Sequence, residues 1–325
     1  MAPMKWFLVT ALAIVTFSDA RLHIKHKYKI KPKEKGQPME ELLYTDDDGL
    51  CGNINVTRGE REMLHQRKKL PRTLPFVVYV VKRHRYNYQP VCVATILPDA
   101  DDESSSIVLT LTTCIEAPEQ LDVYKVYTGK RLPALLNKTN KLYDIEEVLI
   151  DKNSPNLRYA NAMVMRLSRS IPIAGRFQPI CLPKPNAELP KHSSCILSVV
   201  RTDGSQQPYM VEVEPKSTKE CRKMHGEDVQ IDKKMEICGL DYRDGAFISK
   251  GGSLICESEN GRWTQYGIYA HASHISDRMS DKRSVSRIQT RARPSVYVNV
   301  ANFTKLMLNS QNLERLSRIN LMKLR

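Results

Sequence analysis

Phe247-Ile248-Ser249-Lys250-Gly251-Gly252-Ser253-Leu254-Ile255-Cys256 is the stretch on which the reading of this chain turns. By itself it is a glycine pair running into an apolar strand that closes on a cysteine. Lys250, just before the pair, carries an ammonium, a cation that does not attack a carbonyl at neutral pH unless strongly desolvated. On an extended strand neighbouring side chains point to opposite faces, which disfavours Ser249 working with Lys250 as a serine–lysine pair. Outward from this stretch, short β-rich runs alternate with Pro, Asn, Asp and Gly: 76–81, 91–97, 107–111, 123–127, 146–150 and 162–167. Many short strands so punctuated predict an all-β barrel or sandwich rather than alternating helices.

The opening stretch resembles the GDSGGPLVC segment of the trypsin-like, chymotrypsin-fold serine proteases, with Leu254 and Cys256 kept. The resemblance continues on both sides. Residues 91–97 resemble FCGGSLI, 107–114 resemble WVLTAAHC, and 143–150 with 161–167 resemble the strand pair ending in DIALLKL. Residues 178–183 are close to PICLP, 235–238 resemble MICAG, 261–269 resemble the GRW…GIVSWG strand, and 293–298 resemble RPGVYTRV. The implied fold is two six-stranded antiparallel β-barrels followed by a C-terminal helix.

At the family's catalytic positions the chain departs from the pattern. Thr113 stands for the histidine, Asn161 for the aspartate and Lys250 for the nucleophilic serine. Ile248 replaces the glycine that donates an oxyanion-hole amide, and Ser249 replaces the aspartate that pairs with the N-terminus freed on zymogen cleavage. An amide at position 161 favours the wrong tautomer of a histidine, and there is no histidine to hold. The IVGG-like start of an activated chain is missing as well, Arg72 being followed by Thr73-Leu74-Pro75. Asp244 matches the aspartate that makes trypsin prefer basic residues, and is expected to be a solvated or lysine-paired carboxylate; Ala246 replaces a cysteine of the family's pocket disulfide. The resemblance thus implies a catalytically inactive serine protease homologue, not an enzyme. It would act by binding extracellular proteins, including proteases or their substrates, as cofactor, decoy or regulator in a protease cascade of the immune or reproductive-fluid type. Two alternatives are an extracellular glycan-binding protein and a cryptic hydrolase built on Ser249 or Ser253 with Lys250.

Eight cysteines, an even number, suit an oxidising compartment, but counting and spacing alone do not choose among their pairings. The family's pattern implies Cys51 with Cys181, Cys92 with Cys114, Cys195 with Cys256, and Cys221 with Cys238. Lys5, the largely apolar run 6–17 and Ser18-Asp19-Ala20 read as a secretory signal peptide over 1–20, too short to span a bilayer. No later segment is long and apolar enough for a transmembrane helix, so a secreted protein is expected. The expected organisation is a basic tail and propeptide-like segment at 21–73, a pseudoprotease domain at 74–310 and a basic helical extension at 311–325.

Lys and Arg number 50 against 36 Asp and Glu, a net charge of +14. In an extracellular setting that surplus points to sulfated glycans, anionic membrane or acidic proteins before nucleic acid. Lys25, Lys27, Lys29, Lys31, Lys33 and Lys35 fall on one side of an extended chain, and Lys282, Arg283, Arg287, Arg291 and Arg293 form a second cluster, read as a loop. Both are candidates for binding heparin-like polyanions. Asn55, Asn137 and Asn302 begin glycosylation sequons. His271-Ala272-Ser273-His274 offers two histidines without a third ligand, so neither a metal nor a cofactor is expected.

Overall fold

The computed structural model describes residues 51–53, 74–99, 103–129, 132, 136, 140–150, 161–173, 176–190, 195–201, 208–225, 231–232, 235–241, 249–258, 261–272 and 293–308. The first six strands are β1 (Val77–His84), β2 (Asn87–Ile96), β3 (Ser104–Leu111), β4 (Tyr124–Tyr127), β5 (Leu142–Ile150) and β6 (Ala162–Pro172). They close into an antiparallel barrel in the order β1-β2-β3-β6-β5-β4. The next six are β7 (Cys195–Val200), β8 (Pro208–Lys216), β9 (Glu236–Asp241), β10 (Ser253–Glu257), β11 (Trp263–Ala272) and β12 (Arg293–Asn299). They close a second antiparallel barrel in the order β10-β11-β12-β9-β8-β7. Helix α1 (Thr218–His225) precedes β9, and helix α2 (Val300–Leu308) follows β12. The all-β reading and the two six-stranded barrels with a C-terminal helix are what the structure contains. Both barrels lie in the unit Pro38–Arg325.

Composition explains why these segments pair. Val, Ile, Leu and Met fill the strands, and Val78, Val80, Ile96, Leu109, Leu111, Met163 and Met165 are wholly buried in the first barrel. Leu197, Val199, Leu254 and Tyr297 do the same in the second. Closure removes the unpaired edges that an open sheet of such strands would expose. Two strands run further than their apolar residues suggest. Beyond Val81, β1 and β2 continue as a polar hairpin in which Lys82 pairs with Gln89, Arg83 with Tyr88 and His84 with Asn87. Apolar pattern reports burial, whereas ladder hydrogen bonds form equally well in water-facing sequence.

Four disulfides brace the barrels, and no cysteine is free. Cys92–Cys114 ties β2 to the 3-10 turn Thr112–Cys114, Cys195–Cys256 ties β7 to β10, and Cys221–Cys238 ties α1 to β9. Cys51–Cys181 fastens residues 51–53 to the segment between the barrels. There Gly52 donates to the Pro179 carbonyl and accepts from the Trp263 N–H. Its φ of +67° and the Trp263 carbonyl, 2.4 Å from where a Cβ would sit, admit only glycine. The same inter-barrel segment binds both neighbours, Ile180 N–H to the Ile96 carbonyl and Gln265 N–H to the Cys181 carbonyl. Across the seam the buried Thr95 hydroxyl donates to Gln265 Oε1. No described helix is long and apolar enough to cross a membrane.

Candidate active-site region

Thr113, Asn161 and Lys250 all lie on segments that flank the strands at the seam. Thr113 sits in the 3-10 turn that follows β3, held by the Cys92–Cys114 bond. Its hydroxyl oxygen is buried and finds no partner. Asn161 immediately precedes β6 and is bound to the same turn from both sides. The Thr112 N–H donates to the Asn161 carbonyl at 2.9 Å, and the Asn161 N–H donates to the Thr112 hydroxyl at 3.1 Å.

Lys250 comes from the second barrel, on the turn that enters β10. Gly251 follows it at φ +79°, and a Cβ there would lie 2.8 Å from the Val93 carbonyl, 2.9 Å from Thr110 Oγ1 and 3.0 Å from Cys114 Sγ. The turn carrying Lys250 therefore presses on the disulfide loop that carries Thr113. Hydrogen bonds fix it on either side: Gly251 N–H to the Tyr269 carbonyl at 3.0 Å, and Tyr269 N–H to the Gly252 carbonyl at 2.6 Å. Thr113, Asn161 and Lys250 thus gather at one place although they lie far apart in sequence.

Ser249 is buried, and its contacts are complete within the barrel. Its N–H donates to the Val200 carbonyl at 2.8 Å, while its hydroxyl accepts the Val200 N–H at 3.1 Å. The two residues form a closed pair at the end of β7.

Lys250 itself is exposed. Its electrostatic neighbour is Glu116, whose carboxyl is held below the usual range chiefly by the Lys82 ammonium at 2.7 Å, with a smaller contribution from Lys250. The same contact raises Lys82, helped by the Tyr124 hydroxyl, and Tyr124 OH also receives the Glu116 N–H at 3.2 Å. The ion pair is between Lys82 and Glu116, and Lys250 adds only a weaker field at the same carboxylate. Sequence reading did not find Lys82, Glu116 or Tyr124. No motif links them to Lys250, and only closure of the first barrel brings β1 and the segment after Cys114 together.

Other candidates fall elsewhere. Asn302 lies in α2, and the Thr304 hydroxyl of its sequon is buried and donates to the Val300 carbonyl at 2.6 Å. That is a packed-helix setting, unlike the exposed loop in which an acceptor sequon is modified. Arg293 opens β12 in register with Asp241, so it belongs to a strand and not to the loop expected for its cluster. His271 and Ala272 end β11. Ile248, Asp244, Ala246, Ser273, His274, Asn55, Asn137, the lysines from 25 to 35 and Lys282, Arg283, Arg287 and Arg291 lie outside the described residues.

With this geometry in hand, comparison with known proteins decides the family. The family model described as Trypsin matches residues 102–307, most of the two barrels. The chain belongs to the trypsin family. It is similar to the human atrial natriuretic peptide-converting enzyme, 26% identical over 274 residues, which cover 81% of this chain and 24% of that protein. The same enzyme of Rattus norvegicus is 25% identical over 273 residues, covering 81% of this chain and 22% of the relative. That of Mus musculus is 25% identical over 209 residues, covering 60% and 17%. The chain spans a quarter or less of the length of these relatives.

Proposed function

We propose that this trypsin-family chain is a non-catalytic homologue that works by binding other proteins outside the cell, as cofactor, decoy or regulator of a protease cascade. The observation that supports the reading is the chemistry of the three residues that the two barrels bring to one place. A threonine hydroxyl at 113 is no general base at neutral pH, an amide at 161 supplies no charge to stabilise an imidazolium, and an ammonium at 250 is no nucleophile. Removing any one triad member costs several orders of magnitude in rate, and here all three are exchanged. The Ser249–Val200 pair supports the same reading, because the serine hydroxyl is buried and already accepts a backbone N–H. That also argues against a cryptic serine–lysine hydrolase at 249–250. Polyanion binding by the two basic clusters belongs to the proposal as a second contact class.

A fluorophosphonate probe tests it directly. The purified chain is expected to show no covalent adduct on any serine and no turnover of peptide substrates, whether or not the segment before residue 74 has been cleaved. Stoichiometric labelling of Ser249 or Ser253 overturns the reading.

A further inference from the structure

The β1–β2 hairpin ends in a two-residue turn, Arg85-Tyr86, between the paired residues His84 and Asn87. Both turn residues run against what such a turn prefers. Arg85 has φ of 54°, a left-handed conformation that hairpin turns ordinarily give to glycine or asparagine. Tyr86 is 93% exposed, the most exposed large apolar side chain among the described residues. Glycine at the first position, as in Gly-Asn, would close the same hairpin without strain and without an aromatic ring in water.

Charge on the hairpin is graded along its length. Near its base Lys82 is paired with Glu116 at 2.7 Å, and one residue on Arg83 is paired with Asp122 at 3.2 Å. At the tip the carboxylates run out: no described residue forms an ion pair with His84 or Arg85, and both are exposed. The hairpin itself is well fixed, with its register kept to the last pair and Tyr88 N–H donating to the Leu136 carbonyl at 3.0 Å.

We propose that this tip, with Arg85 and Tyr86 at its centre, is a docking element for an acidic segment of a partner protein. An Arg–Tyr pair is the combination that protein interfaces concentrate, the guanidinium meeting carboxylates and the ring covering apolar surface beside them. A sulfated glycan is met by rows of free cations, whereas the cations below the tip, Lys82 and Arg83, are already paired with Glu116 and Asp122. A rigid, pre-formed presenter also lowers the ordering cost of binding. The proposal does not depend on the chemistry of the cleft, so it stands or falls apart from the absence of catalysis.

The test uses the full chain, an immobilised array of peptides graded in net charge at matched length and aromatic content, and a heparin oligosaccharide as a separate probe. Three proteins are compared: wild type, the double variant Arg85→Gly with Tyr86→Asn, and the double variant Lys219→Ala with Lys223→Ala. The last removes two exposed cations from α1. Wild-type binding is expected to rise with peptide acidity. The hairpin variant is expected to bind acidic peptides about tenfold more weakly, with a melting temperature no lower than wild type, because glycine fits the positive φ. The α1 variant is expected to bind as wild type. Unchanged binding by the hairpin variant overturns the proposal, as does an equal loss in the α1 variant. A loss confined to the heparin probe overturns it too, by assigning the tip to a glycan.

Discussion

At Gly251 the backbone turns through φ +79° against the Val93 carbonyl, and no side chain can be added without moving main chain of the other barrel. Gly251→Ala is therefore expected to destabilise the fold by about 2–4 kcal/mol, the sum of a left-handed penalty and overpacking. Denaturant unfolding measures it, and a loss under about half a kcal/mol would mean that the seam yields there. Glu236 offers a pH-dependent test. It is buried, and burial pushes its carboxyl above the usual range although Oε2 accepts the Asp232 N–H at 2.9 Å. A carboxyl raised in the folded state favours folding while protonated and loses that contribution as pH rises through its folded pKa. Glu236→Gln keeps an acceptor for Asp232 and removes the buried charge. Its melting temperature is expected to exceed wild type at neutral pH, and the gain to vanish near about pH 4. A gain independent of pH would trace the effect to something other than ionisation.

Among the elements, the piece most dependent on a single bond is the segment at residues 51–53. Cys51–Cys181 closes a loop of sequence separation 130, and only Gly52 adds backbone hydrogen bonds on the Cys51 side among the described residues. Replacing both cysteines by serine is expected to cost about 2–4 kcal/mol, as long loops do when a bridge is lost. In the wild-type chain, cleavage at Arg67, Lys68 or Lys69 should give one band on a non-reducing gel and two after reduction, because the bond still holds the fragment. Release of the fragment without reductant would contradict the bond. Sequence reading found the apolar parts of β1 and β2 but missed their hairpin continuation, since Lys82 to Tyr88 carries no buried face to set a period of two.

For the molecule as a whole, restoring the triad side chains is not expected to restore a protease. The triple variant Thr113→His, Asn161→Asp, Lys250→Ser would place three groups at one seam, yet Ser249 would still be closed on Val200 and Ile248 would still replace the oxyanion-hole glycine. An oxyanion-hole donor is worth roughly 3 kcal/mol of transition-state stabilisation, and on the proposed reading the triple variant does not restore one. Peptide-substrate turnover by the triple variant should stay at the level of the wild-type chain. Turnover well above that level would show that the scaffold around the cleft had kept its catalytic form.

The sequence by itself determined which segments became strands, because alternation of apolar and turn residues is a local signal, whereas only the fold brought Thr113, Asn161 and Lys250 to one place. The sequence did not choose the cysteine pairs without the family pattern, and it held no sign that Ser249 closes on Val200 or that Lys82 pairs with Glu116. Those contacts join residues 34 and 49 apart. Barrel closure and strand register fix them, and neither is written in any single stretch. The tip of the β1–β2 hairpin was hidden for the opposite reason. Arg85 and Tyr86 look like ordinary polar-strand residues in sequence, and only the fold shows a turn with positive φ and a ring left in water.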